Sequence, residues 1–140
     1  MNGNDFMTWV LRSPLHGLLS ASTMLVTLKG RKSGKAITLP VNYFQEGENL
    51  WVITNRSRNW WRNLRGGAQV EVLLRRQAKL GSALPVLDEK EVEGLLAKYL
   101  VRFPQAAKVM GIGIEGAIPN KNDIMRVSSD RLFVKFTLLG

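Results

Sequence analysis

Residues 24–74, MLVTLKGRKSGKAITLPVNYFQEGENLWVITNRSRNWWRNLRGGAQVEVLL, set the reading of the whole chain. Three runs in this stretch, Met24–Leu28, Ile37–Phe44 and Leu50–Thr54, are rich in apolar and β-branched residues, as half-buried strands are. Lys29–Lys35 joins the first two through a short turn holding two glycines and four cations. Glu46-Gly47-Glu48-Asn49 is a second hairpin signal. The third run leads into a basic aromatic segment, Asn55–Arg65, with Trp60 and Trp61 at its centre. Strands joined by hairpins pair antiparallel. Turns loaded with cations and amide donors suit a flat, anionic ligand.

Working outward, Trp60–Leu64 fits a short helix ended by Gly66-Gly67. Val70–Arg75 and Lys79–Val86 read as further strands. Asp88–Arg102 reads as an amphipathic helix capped by Asp88, with Glu91 at the third position and Val92, Leu95, Leu96, Tyr99 and Leu100 inward. A short helix is expected over Gln105–Met110, then a loop over 111–122. Ile124–Val127 and the alternating Arg131–Leu138 are expected to close the sheet. Towards the N-terminus, Asn4–Leu11 and Pro14–Ser20 read as helices, the second entered through Ser13-Pro14. Their apolar faces suit a lid on a barrel; a weak peripheral membrane contact is the rival reading, with few cations to support it.

The expected class is mainly β (α+β): an antiparallel split β-barrel with N-terminal helices and one long outer helix, in a single domain over residues 1–140. Closure into a barrel removes the exposed edges that six or seven short strands would otherwise present.

Composition narrows the chemistry. The 140 residues contain no cysteine and one histidine, His16, which excludes disulfides, thiolate sites, cysteine nucleophiles and histidine-rich metal sites. No catalytic triad and no phosphate loop of Walker type is visible. No apolar run approaches the ~20 residues of a membrane span, and no signal-peptide pattern is present, so a cytoplasmic location is expected. Of the net charge of +9, residues 29–79 carry +8, with eleven Lys/Arg against three acids. That concentration implies an anionic partner. Basic residues with aromatics also satisfy the minimum pattern for nucleic-acid binding, but no recognised motif accompanies them, and no nucleic acid is expected. Any redox chemistry must come from a bound cofactor.

Three blocks then acquire a common meaning. Gly30-Arg31-Lys32-Ser33-Gly34-Lys35, the proline-containing strand Thr38-x-Pro40-Val41 with Tyr43, and Trp60-Trp61-Arg62-Asn63-Leu64-Arg65 together resemble the deazaflavin-dependent nitroreductase family of the flavin-binding split-barrel superfamily. The resemblance runs over roughly Ser13–Phe136. It implies an oxidoreductase that binds the reduced deazaflavin coenzyme F420 and passes hydride to a small organic acceptor, with FMN as the alternative cofactor. A non-enzymatic flavin- or deazaflavin-binding protein is the remaining alternative. By the same resemblance Lys32 faces the cofactor phosphate, Arg31, Ser33 and Lys35 of the same turn are cofactor-binding, and Leu39, Pro40 and Val41 line the ring. Asn55 and Arg56 lie near the phosphate or tail, and Trp60 and Asn63 hold the cofactor from the helix. Some relatives have arginine in place of Ile37, and some nitro-reducing members carry tyrosines where this chain has Phe103, Ala106 and Val109. The expected partner is a small-molecule substrate, and a homodimer is an allowed arrangement.

Overall fold

The structure, a computed structural model, describes residues 23–139; the expected N-terminal helices and His16 lie outside them. In chain order the strands are β1 (Thr23–Lys29), β2 (Ala36–Asn42), β3 (Phe44–Glu46), β4 (Asn49–Asn55), β5 (Ala68–Leu74) and β6 (Gln77–Val86). Helices α1 (Glu89–Arg102) and α2 (Ala106–Met110) follow, then the small hairpin β7 (Ile114–Glu115) and β8 (Ile118–Pro119), helix α3 (Lys121–Asp130) and strand β9 (Arg131–Leu138). A 3-10 turn, Trp60–Leu64, precedes β5. Seven strands form one sheet in the order β2-β1-β5-β6-β9-β4-β3. The pairs β1–β2, β1–β5, β3–β4 and β5–β6 are antiparallel.

The period of two puts alternate side chains on one buried face. Met24, Val26 and Leu28 of β1, Val70 and Val72 of β5, Leu50 and Val52 of β4, and Val134 and Phe136 of β9 are all buried. Each such side chain contributes roughly 1.5–3 kcal/mol when fully removed from water. β2 forms one edge of the sheet, which is where Pro40 is tolerated, since it has no N–H to give a second neighbour.

The chain clusters into two compact units. The first comprises residues up to Ile53, Asn59–Pro85 and Val134 onward; the second comprises Thr54–Arg58 and Val86–Phe133. In the second, Asp88 Oδ1 accepts from the N–H groups of Lys90 (2.7 Å) and Glu91 (3.3 Å), as the cap reading required. Val92, Leu96 and Leu100 form the buried stripe of α1, which packs on α3. Leu95 and Tyr99 are half-buried. Tyr99 meets Phe103 edge-on at 4.9 Å and Phe133 at 6.4 Å, and its burial raises the phenol pKa. Among the described residues no helix is long and apolar enough to cross a membrane.

Three expectations need correction. Ile37–Phe44 is not one strand: β2 stops at Asn42 and β3 starts at Phe44, with the buried Tyr43 between them. Ile124–Val127 is helical, not a strand. Its two β-branched residues suggested pleating, but Asn120 caps a helix there, its Oδ1 accepting from Asp123 N at 3.0 Å. Tertiary bonds then fix α3: Asp123 Oδ2 accepts from Gly113 N at 2.9 Å, and Arg126 donates to the Gly111 carbonyl at 2.8 Å. The expected loop over 111–122 also contains the β7–β8 hairpin.

Candidate functional site

The turn between β1 and β2 is shaped by its glycines. Gly34 adopts φ +70°, a left-handed conformation that costs glycine nothing. Its N–H donates to the Gly30 carbonyl at 2.8 Å, and Gly30 N donates to the Lys35 carbonyl at 2.9 Å. A Cβ on Gly30 would stand 2.9 Å from Ser33 Oγ and 3.2 Å from Ile37 Cδ1, so a larger residue would have to displace those side-chain ends. Ser33 Oγ accepts from Lys35 N at 3.2 Å. Arg31, Lys32, Ser33 and Lys35 are exposed.

The 3-10 turn secures this loop from the side. Residues three apart eclipse in a 3-10 helix, which sorts the block into rows. Trp61 and Leu64 are buried, as is Trp60, whereas Asn59, Arg62 and Arg65 are exposed. The Arg62 guanidinium lies over the Trp61 ring, 4.7 Å from its centroid. Asn63, half-buried, joins the two segments. Its Oδ1 accepts from Arg31 N at 3.0 Å while its Nδ2 donates to the Trp60 carbonyl at 3.2 Å. The Arg31 guanidinium adds a bond to the Arg65 carbonyl.

Between these segments lies a cavity of about 520 Å³. Arg31, Lys32, Arg62 and Arg65 supply four cations, Asn59 and Asn63 two carboxamides, and no acid is among the described lining residues. Such a field attracts and retains an anion. The other side of the same turn borders a larger cavity of about 910 Å³ over the sheet, where Thr27, Lys29, Gln69, Glu71 and Leu80 contribute. The turn is therefore a ridge between a cationic hollow and a mixed one.

Arg31, Lys32, Ser33 and Asn63 are thus brought together and line both cavities. Lys35 belongs to the same turn but lines neither. Leu39, Pro40 and Val41 lie on edge strand β2, where Leu39 and Val41 pair with Val26 and Met24 and are half-buried, and Pro40 is exposed opposite Leu25. Trp60 is only 7% exposed, a core residue that lines neither cavity. Asn55 and Arg56 belong to the second unit and line a separate cavity of about 340 Å³ with Ser129 and Asp130. Arg56 donates from Nε to the Arg131 carbonyl at 3.0 Å and from Nη2 to the Ser128 carbonyl at 3.1 Å. Its own N–H bonds the Asp130 carbonyl at 2.8 Å. A guanidinium there satisfies the carbonyls left over at the end of α3 and opposes its negative pole. Asn59, Arg62 and Arg65 join the site without having been singled out. Their signal was the three-residue spacing, legible only once the segment is known to be 3-10.

Solved structures share this fold at low identity. A general stress FMN/FAD-binding protein from Xanthomonas citri superposes with a TM-score of 0.52 at 18% identity, covering 86% of this chain and 78% of its own. A FAD- and heme-binding protein from Mycobacterium smegmatis gives 0.53 at 15%, covering 89% and 65%. The protein Atu2129 from Agrobacterium tumefaciens gives 0.57 at 17%, covering 93% and 57%. The chain thus spans about two thirds and somewhat over half of the last two. No curated protein matches the sequence. These likenesses place the sheet in the mainly-β split-barrel class, as the strand pattern implied. A family model for F420H(2)-dependent quinone reductases matches residues 13–112, which include the β1–β2 turn and the WWRNL block. The chain belongs to the F420H(2)-dependent quinone reductase family and is an F420-dependent oxidoreductase.

Proposed function

We propose that the β1–β2 turn and the Asn59–Arg65 segment hold the anionic part of coenzyme F420, and that the bound coenzyme passes hydride to a small organic acceptor of quinone type. The observation that carries this reading is the cavity of about 520 Å³ with four cations, two carboxamides and no acid among its described lining residues. Its donors fit a phosphodiester: Lys32 is exposed at the tip of the turn, and Ser33 adds a hydroxyl. Asn63 is a positioning residue, because its carboxamide is spent on Arg31 N and the Trp60 carbonyl. Leu39 and Val41 are suited to the ring, because they are apolar, half-buried residues of the edge strand β2. Trp60 supports the segment from within the core. Arg56 is committed to α3, so the phosphate contact is assigned to the turn.

Bound, the reduced deazaflavin supplies the hydride; the chain supplies position and electrostatics. FMN is the second reading, favoured by the FMN/FAD-binding protein of the same fold. The two differ in charge, since FMN ends in one phosphate whereas F420 continues through a phosphodiester into glutamate carboxylates. Attraction to a longer polyanion by several exposed cations is screened by salt. Fluorescence titrations with both cofactors at stepped ionic strength should show tighter binding of F420 and an advantage that shrinks as salt rises. Equal affinities at low salt would defeat the assignment, and a gel-shift titration with random-sequence DNA tests the other polyanion. Oxidation of F420H2 on adding a benzoquinone, followed by absorbance, tests the acceptor; binding without turnover would make the protein a carrier.

A further inference from the structure

A separate cavity of about 490 Å³ lies in the first unit, where the β3–β4 and β5–β6 hairpins meet the end of β9. It shares no residue with the coenzyme site. Leu50, Leu74 and Leu138 give it an apolar floor, Tyr43 lines it, and Arg75 and Lys79 bring cations to it. Three features there are not explained by folding. Lys79 sits at an inward-facing position of β6, in step with the buried Gly81 and Ala83 and directly opposite Val72, which is 0% exposed. Tyr43 is 8% exposed, and its shielded hydroxyl has no hydrogen-bond partner among the described residues. Buried polar atoms left in that state are rare in native proteins.

The third feature is the hairpin tip. Arg75 and Arg76 form the two-residue turn between β5 and β6 with φ +49° and +69°. Positive φ at both central positions is the pattern that favours Asn-Gly; in arginine it is strained. The chain therefore keeps a cation at the cavity rim against its own backbone preference. Mouths of β-barrels are recurrent small-molecule sites, and roughly 300–1,000 Å³ is their usual size.

We infer that this cavity binds a small amphipathic monoanion. Its carboxylate is held by Lys79 and Arg75, and its apolar body lies on Leu50, Leu74 and Leu138 beside Tyr43. Glu48 also lines the cavity, and its charge opposes a second negative charge on the ligand, which separates this site from the polyanion site around Lys32.

The test is a titration of the isotopically labelled full chain with octanoate, octanol and inorganic phosphate, followed by NMR. Octanoate should shift the resonances of Tyr43, Leu50, Leu74, Lys79 and Leu138 saturably, with octanol and phosphate each at least about tenfold weaker. Lys79→Gln should weaken octanoate binding by a similar factor. Arg75→Asn separates binding from folding, because it relieves the left-handed strain: thermal stability should rise while octanoate affinity falls. Absence of shifts at these residues, octanol binding as tightly as octanoate, or phosphate binding as tightly as octanoate would each overturn the inference. So would unchanged affinity in Arg75→Asn.

Discussion

The Lys29–Lys35 turn and the Asn55–Arg58 turn each follow a strand and each set arginine beside small polar residues. In the first, glycine geometry and the Asn63 carboxamide satisfy the backbone, so Lys32 and Lys35 remain exposed and Lys32 is available to a ligand. In the second, Arg56 is itself the fastening, donating to two carbonyls at the end of α3 and the start of β9. The difference lies in who supplies the donors. The first turn is fastened through N–H groups and through Arg31, which leaves Lys32 and Lys35 exposed, whereas the second spends its Arg56 guanidinium on the fastening.

Substitutions should divide along the same line. The largest effect is expected from Arg56→Ala, which strands the Ser128 and Arg131 carbonyls of a part-buried, charge-assisted pair of bonds. A loss of about 3 kcal/mol of stability should appear in urea melts. F420 affinity of the folded protein should hardly move; a parallel loss of affinity would merge the two turns into one site. Arg56→Lys should rescue little, because an ammonium cannot reproduce the fork that reaches both carbonyls.

Asn63→Ala comes next. It releases Arg31 N and the Trp60 carbonyl, and F420 affinity should fall by about 1–3 kcal/mol with the fold intact. Unchanged affinity would return the WWRNL block to a purely structural role. Trp60→Ala is a poor test by comparison, since core loss alone would cost roughly 3–5 kcal/mol.

Lys32→Ala combined with Lys35→Ala should leave thermal stability within about 0.5 kcal/mol, because exposed cations contribute little to folding. It should weaken F420 by about 1 kcal/mol at low salt, more than it weakens FMN, and the effect should fade as salt rises. The smallest effect is a control in the second unit. Burial raises the Tyr99 pKa from 10.0, so the folded state holds this proton longer than the unfolded chain does. Stability is therefore undiminished below pH 10 and declines as pH rises through the folded value. Tyr99→Phe should flatten that alkaline decline without altering F420 binding.

The β1–β2 and β3–β4 hairpins were legible because apolar and β-branched runs and glycine turns are local signals, and α1 because Asp88, Glu91 and the Val92–Leu96–Leu100 stripe agree with one another. Helix α3 was not legible. Ile124 and Val127 are β-branched, and the bonds that fix the helix come from Gly111 and Gly113, outside its own sequence. The three blocks around Arg31, Pro40 and Trp60 pointed to the family before any coordinates, since residue identity and order suffice for that. Which cations serve the site was a different matter. Charge is counted along the chain, but availability depends on what each donor already holds: Arg56 holds the carbonyls of Ser128 and Arg131, and Lys79 faces inward opposite Val72. By itself the sequence determined most strands of the large sheet, the family and the excess of positive charge, because each is written in neighbouring residues. Only the tertiary structure decided that Arg62 and Arg65 join Lys32 while Arg56 does not, because hydrogen-bond partners are set by contacts between residues distant in the chain.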